Sequence, residues 1–178
     1  MRPDWNGIYP ALTTKLTTDD KLDIPLYLKN IEAQINAGVH GCVIAGSLGE
    51  ASTLSQKEKI SLLDATIAHV DGRIPVVMNI AEQSTAKAVK AAHNAQKSGA
   101  DGLMMLPPMR YLADSYETVE FYKSVANSCD LPIMVYNNPY DYKIEITISM
   151  FEELLKIKNI VATKESTRDV TNVTRLKN

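Results

Sequence analysis

Short apolar runs recur along this chain about every 30 residues, starting near Gly7, Gly41, Ile74, Gly102, Leu131 and Ile160, with a helical pattern between each pair. Parallel strands cannot be joined by tight hairpins and need crossovers, usually helices, so this alternation predicts an α/β fold built on a parallel sheet. Two of the turns into strands are alike, Gly38-Val39-His40-Gly41 and Gly99-Ala100-Asp101-Gly102. In each, the first glycine can end the preceding helix in a left-handed conformation. No linker interrupts the series, so residues 1–178 are expected to form a single domain.

The helices between the runs are announced by their caps. Asp23 precedes a stretch with Leu28, Ile31 and Ile35 on one face, Ser55 with Glu58 has capping-box spacing, and Asp114 with Glu117 offers a similar pair. Thr147 can cap the next helix, which is expected to bury Met150, Phe151, Leu154 and Leu155. Ala86, Ala88, Val89, Ala91, Ala92 and Ala95 give the third helix a small-residue face suited to close approach to a sheet.

With 178 residues, 45% hydrophobic and 22% charged, the chain has enough apolar material for a sizeable core. The formal charge of −2 and the scattered lysines give no single-sign field, so neither nucleic acid nor an anionic membrane is an expected partner. Met1-Arg2-Pro3-Asp4-Trp5-Asn6 lacks the apolar core of a signal peptide, and no run approaches the roughly 18 apolar residues of a membrane span. A cytoplasmic location is expected. The two cysteines, Cys42 and Cys129, make no disulfide framework and read as packing residues.

Candidate chemistry lies where two apolar runs end. Ile160-Val161-Ala162-Thr163 leads into Lys164; as a buried parallel strand it would place that amine at its carboxyl end, facing a cavity. Desolvation there favours the neutral amine, which can attack a ketone to form a Schiff base. Leu131-Pro132-Ile133-Met134-Val135 likewise ends in Tyr136, whose phenol can shuttle protons. Glu165, next to Lys164, should point away from it because successive strand side chains alternate. The plainer readings are a strand-end lysine reaching solvent and a core tyrosine with a satisfied hydroxyl.

Together with Gly46-Ser47-Leu48-Gly49-Glu50, the segments Val135-Tyr136-Asn137-Asn138-Pro139 and Thr163-Lys164-Glu165 resemble the dihydrodipicolinate synthase and N-acetylneuraminate lyase family, pyruvate-type class I aldolases on a TIM barrel. The three motifs stand in the family's order across most of the chain. The resemblance implies an (β/α)8 barrel, with Lys164 forming the imine and Tyr136 relaying protons. The loop at Gly46, Ser47 and Leu48 would hold the carboxylate of a small 2-oxo acid substrate such as pyruvate, through backbone amides and a hydroxyl. It implies no cofactor beyond the covalent imine to Lys164, no metal, and a homotetramer. An ordinary glycine turn is the plainer reading of the loop.

Six βα units reach residue 178, whereas a barrel of this type needs eight and typically about 250 residues. The segment from Asp169 to Asn178 also stops inside a helix pattern without a cap. The chain is therefore expected to be a barrel domain incomplete at its C-terminus, with its first and sixth strands as unpaired edges.

Three positions depart from the family's commonest pattern. Leu48 stands where a second hydroxyl residue usually follows Ser47. Asp141 stands where the synthase branch carries an arginine that meets the second substrate's carboxylate. Met109 stands where that branch lends a tyrosine across a subunit interface, with Arg110 and Tyr111 as candidates to compensate. These changes point away from lysine biosynthesis, toward catabolic dehydratases and deaminases acting on 4-hydroxy-pyrroline-2-carboxylate or 2-keto-3-deoxy sugar acids. The alternatives are a true 4-hydroxy-tetrahydrodipicolinate synthase and a non-catalytic regulatory or interaction protein on the same fold. A metal-dependent aldolase would need clustered histidines and carboxylates, but His40, His69 and His93 fall on a turn and on helices.

Overall fold

In the computed structural model, which describes residues 3–108 and 111–177, helices and strands alternate along the chain. The helices are α1 (Ile24–Asn36), α2 (Gln56–Val70), α3 (Thr85–Lys97), α4 (Ser115–Ala126), α5 (Pro139–Tyr142), α6 (Ile148–Leu154) and α7 (Thr171–Lys177). The strands are β1 (Cys42–Ile44), β2 (Val76–Ile80), β3 (Gly102–Met105), β4 (Ile133–Asn137) and β5 (Ile160–Glu165), and they follow chain order in one five-stranded sheet. The expected α/β class is what forms.

The chain divides into two compact units. The first comprises residues 1–79 with 94–103, and the second residues 80–93 with 104–178.

In the first unit β1 runs parallel to β2, Cys42 opposite Val76 and Ile44 opposite Met78. Both strands are buried on both faces, which is why their sequences are continuous apolar runs rather than alternating ones. The segment after Gly7 was expected to be a further strand, and it falls short of one. It runs beside β1 through Val43 N–H to Pro10 O, Leu12 N–H to Val43 O, and a single parallel bridge at Ala11. Pro10 has no N–H to continue a ladder, which limits the pairing to these few bonds.

The caps are where the sequence puts them. Asp23 accepts from Leu26 N–H, and Ser55 with Glu58 closes a full capping box. On α1 the buried face is Tyr27 and Ile31, with Leu28 and Ile35 at its margins. The second cap of the pattern, Gly38, has φ +82 with open space around it, so only backbone conformation demands glycine there. Arg73 grips Glu32 with two hydrogen bonds of 2.9 Å, and His69 joins the same carboxylate at 2.9 Å, tying α2 and the turn after it to α1. The Arg73 guanidinium holds the Glu32 carboxyl below the usual carboxylate range.

In the second unit Asp114 and Glu117 form the other capping box, and Thr147 caps α6 by accepting from Met150 N–H. Met150, Phe151 and Leu154 are buried as expected, but Leu155 is 68% exposed. It is the residue after the last full turn, and one further step of about 100° around the helix takes it off the apolar face. Along α3, Ala88, Ala91, Ala92 and Ala95 are buried and Ala86 is exposed.

β5 is the edge strand that the count of units predicts, but it is less buried than its apolar run suggests. It is parallel to β4 as predicted, yet only Ile160 is buried and Val161 is 49% exposed. Among the described residues β4 is its only strand neighbour. No helix among the described residues is long and apolar enough to cross a membrane.

Candidate active site

Register decides what β4 and β5 can do together. Ile133 pairs with Ile160, but Met134 pairs with Ala162, so Val161 is an extra residue that bulges out of the ladder. From there on the pairing is Val135 with Thr163, Tyr136 with Lys164 and Asn137 with Glu165. Without the bulge, Tyr136 would face Thr163 and the lysine would turn to the other side of the sheet. The bulge therefore puts Tyr136 and Lys164 side by side at the carboxyl ends of parallel strands.

Their contact is close: Lys164 Nζ lies 3.9 Å from the centroid of the Tyr136 ring. Lys164 is half-buried rather than enclosed. Tyr136 is 9% exposed, and the edge of Tyr142 packs against it with centroids 5.5 Å apart. The phenol oxygen accepts a hydrogen bond of 3.2 Å from Asn138 Nδ2.

Glu165 faces away from Lys164, as strand alternation requires. Its Oε2 accepts from Asn137 Nδ2 at 3.1 Å and its Oε1 from Thr167 N–H at 2.9 Å. Asn137 is fully buried, and its amide also exchanges both hydrogen bonds with the backbone of Ile146, as a neighbouring peptide unit would. Asn137 thus locks the ends of both strands to the chain entering α6. In the sequence Asn137 and Asn138 stand out only as part of a motif; the signal for their roles is a pair of amides directly after a strand, where backbone groups lose their ladder partners.

The turn at Gly46, Ser47 and Leu48 belongs to the first unit. Ser47–Gly49 is one turn of 3-10 helix, opened by Gly46 in extended conformation and closed by Glu50 in a left-handed one. Ala45, just before it, also has positive φ, and its carbonyl accepts from the buried Asn79 Nδ2 at 2.9 Å. Gly49 is required by close approach: a Cβ there would meet Leu12 O at 2.7 Å, and its own carbonyl accepts from Thr14 Oγ1. Ser47 and Leu48 are exposed, Leu48 at 76%.

A cleft of about 320 Å³ opens past β4 and β5, lined by Pro139, Tyr140, Glu145, Thr167, Asp169, Asn172 and Arg175. Neither Lys164 nor Tyr136 lines it. Asp141 is exposed and accepts from Asn138 Nδ2 at 2.7 Å. Met109 and Arg110 lie outside the described residues, whereas Tyr111 is described and exposed. The histidines are placed structurally: His40 Nδ1 accepts from Ile8 N–H, His69 meets Glu32, and His93 Nε2 lies 2.6 Å from Ser128 O.

The molecule is thus an α/β protein whose ionisable pair stands at the carboxyl ends of adjacent parallel strands, the functional end of barrel and open-sheet enzymes alike. Comparison with known proteins then makes the class specific. Residues 4–178 match the model of the dihydrodipicolinate synthetase family, and the chain belongs to that family. A DapA-like lyase of Rhizobium meliloti is 33% identical over 168 residues, covering 94% of this chain and 56% of that protein. A 4-hydroxy-tetrahydrodipicolinate synthase of Methanococcoides burtonii is 32% identical over 172 residues, covering 97% of this chain and 58% of its own length. Among solved structures, the pyruvate complex of YagE from E. coli K12 superposes with a TM-score of 0.93 at 29% identity, covering 97% of this chain and 58% of that one. Dihydrodipicolinate synthase DapA-2 from Bacillus anthracis gives 0.95 at 28% identity, with coverages of 99% and 60%. The chain spans under two thirds of each of these relatives, so its strands and helices are a portion of the barrel fold they share.

Proposed function

We propose that the protein is a Schiff-base-forming lyase acting on pyruvate or a related 2-oxo acid. Lys164 attacks the C2 carbonyl as a neutral amine, a C–N bond forms, and the carbonyl oxygen leaves as water, giving an imine. The protonated imine draws electrons from the neighbouring carbon, so a C3 proton can depart and leave an enamine that makes or breaks the next bond. Tyr136 carries protons to and from the bound intermediate. The turn at Gly46, Ser47 and Leu48 takes the substrate carboxylate through backbone amides and the Ser47 hydroxyl. No further cofactor is needed, because the imine itself is the electron sink.

The observation that carries this reading is the pairing of Tyr136 with Lys164 across the bulged register, with the amine 3.9 Å from the ring centroid. Borohydride reduction in the presence of pyruvate, followed by peptide mass analysis, is expected to give an adduct on Lys164 and none in Lys164→Ala. Tyr136→Phe is expected to form the adduct yet exchange the pyruvate methyl protons with D2O on the order of 10²-fold more slowly, the usual scale of general acid–base help. A folded protein that forms no adduct would mark the non-catalytic alternative.

On substrate, Asp141 supports a dehydratase or deaminase of 4-hydroxy-pyrroline-2-carboxylate or 2-keto-3-deoxy sugar acids. An exposed carboxylate repels a second carboxylate partner at that place. The names of the M. burtonii and B. anthracis relatives support the other branch, synthesis of 4-hydroxy-tetrahydrodipicolinate. Turnover of a panel containing both classes separates them: product from pyruvate with an amino-aldehyde indicates the synthase, and product from a hydroxylated 2-oxo acid alone indicates the catabolic branch.

A further inference from the structure

We infer that Asn138, locked by Asp141, is a positioning residue that fixes where the Tyr136 phenol sends its proton. The inference rests on the role proposed above for Tyr136 and adds a component that role does not supply.

The lock follows from hydrogen-bond inventory. A side-chain amide carries one acceptor oxygen and an NH2 with two protons, and which end is which is ordinarily an assignment rather than an observation. Here the chemistry decides. Asn138 Nδ2 lies 2.7 Å from Asp141 Oδ2, and an ionised carboxylate only accepts, so the NH2 must be the end facing it. The other end, Oδ1, accepts from Asp141 N–H at 3.3 Å. That leaves the second NH2 proton for the Tyr136 oxygen 3.2 Å away. Asn138 is 6% exposed, so bulk water does not compete freely for these contacts.

A phenol oxygen that accepts from Asn138 cannot also donate to it. Its own proton must point away from Asn138 and is thereby left for an intermediate bound to Lys164, whose Nζ stands over the face of the same ring, 3.9 Å from its centroid. The donor to the oxygen also steadies negative charge there when the proton leaves. Capping α5 uses only the Oδ1 contact, so the link from Nδ2 to the tyrosine is not required by the helix.

The discriminating variant exchanges the two groups, Asn138→Asp together with Asp141→Asn. It preserves net charge, size, the link between the two side chains and an oxygen to cap α5. It presents the phenol with an acceptor in place of a donor, so the hydroxyl turns toward position 138. The expected result is an unchanged yield of the borohydride-trapped pyruvate adduct, with exchange of the pyruvate methyl protons into D2O slowed at least roughly tenfold, a part of what a positioned acid–base group contributes. Loss of both together would be a general structural effect and would overturn the inference, as would exchange at the parent rate. Asp141→Asn alone leaves Asn138 and its cap in place but frees the amide to rotate; a several-fold loss of exchange is expected, and none would count against the lock. A parent protein that gives no adduct at all sinks the Schiff-base reading and this inference together. An adduct whose proton exchange is indifferent to the swap sinks only the latter.

Discussion

Cys42 shows what a single buried side chain contributes at this scale. Burial pushes its thiol up to about 12, and the same cause raises the phenols of Tyr27 and Tyr122. An unfolded thiol gives up its proton near 9, so the stability tied to Cys42 is intact below that pH and drains away as pH rises toward 12. Urea midpoints measured across this window are expected to fall, and to fall less steeply in Cys42→Ala. Sequence placed Cys42 correctly as a packing residue because its apolar neighbours are continuous. Asn137 and Asn138 were beyond it, since nothing in a Tyr-Asn-Asn-Pro run says which amide will face a backbone and which a phenol.

At the scale of elements, the caps were legible and the register was not. Ser55 with Glu58 and Asp114 with Glu117 are local chemistry, complete within four residues, and each forms as its spacing indicates. The bulge at Val161 is a relation between two strands, and a period of two has no mark for one extra residue. Its effect is testable by subtraction. Deleting Val161 removes the extra residue and leaves a regular ladder in which Ala162 follows Ile160 opposite Met134 and Lys164 stays opposite Tyr136, so the face on which the lysine sits is expected to be unchanged. The pyruvate adduct on Lys164 should then persist, with the far-ultraviolet circular dichroism of the helices near that of the parent, and its loss would show that the pairing of Tyr136 with Lys164 does not survive without the bulge. The segment after Gly7 was misread for a related reason: its apolar run is genuine, but Pro10 withholds the donor a strand needs there.

For the molecule as a whole, the alternating pattern carried the fold class, the family's motifs carried the lineage and the count of units carried the edge position of β5, whereas the exposure of Val161 departs from a run that reads as buried. Val161 is 49% exposed on a strand with one neighbour among the described residues. Such an edge offers unpaired backbone groups to another chain. The 178-residue chain is expected to self-associate with rising concentration in sedimentation velocity, and Val161→Lys to shift it toward the monomer without changing its circular dichroism. Sheet order bears on how the chain reaches this state. Because each of the five strands among the described residues lies beside the one made just before it, these pairings can close as soon as the second partner leaves the ribosome. Assembly of these five strands can therefore proceed vectorially, each new strand extending the edge left by the last.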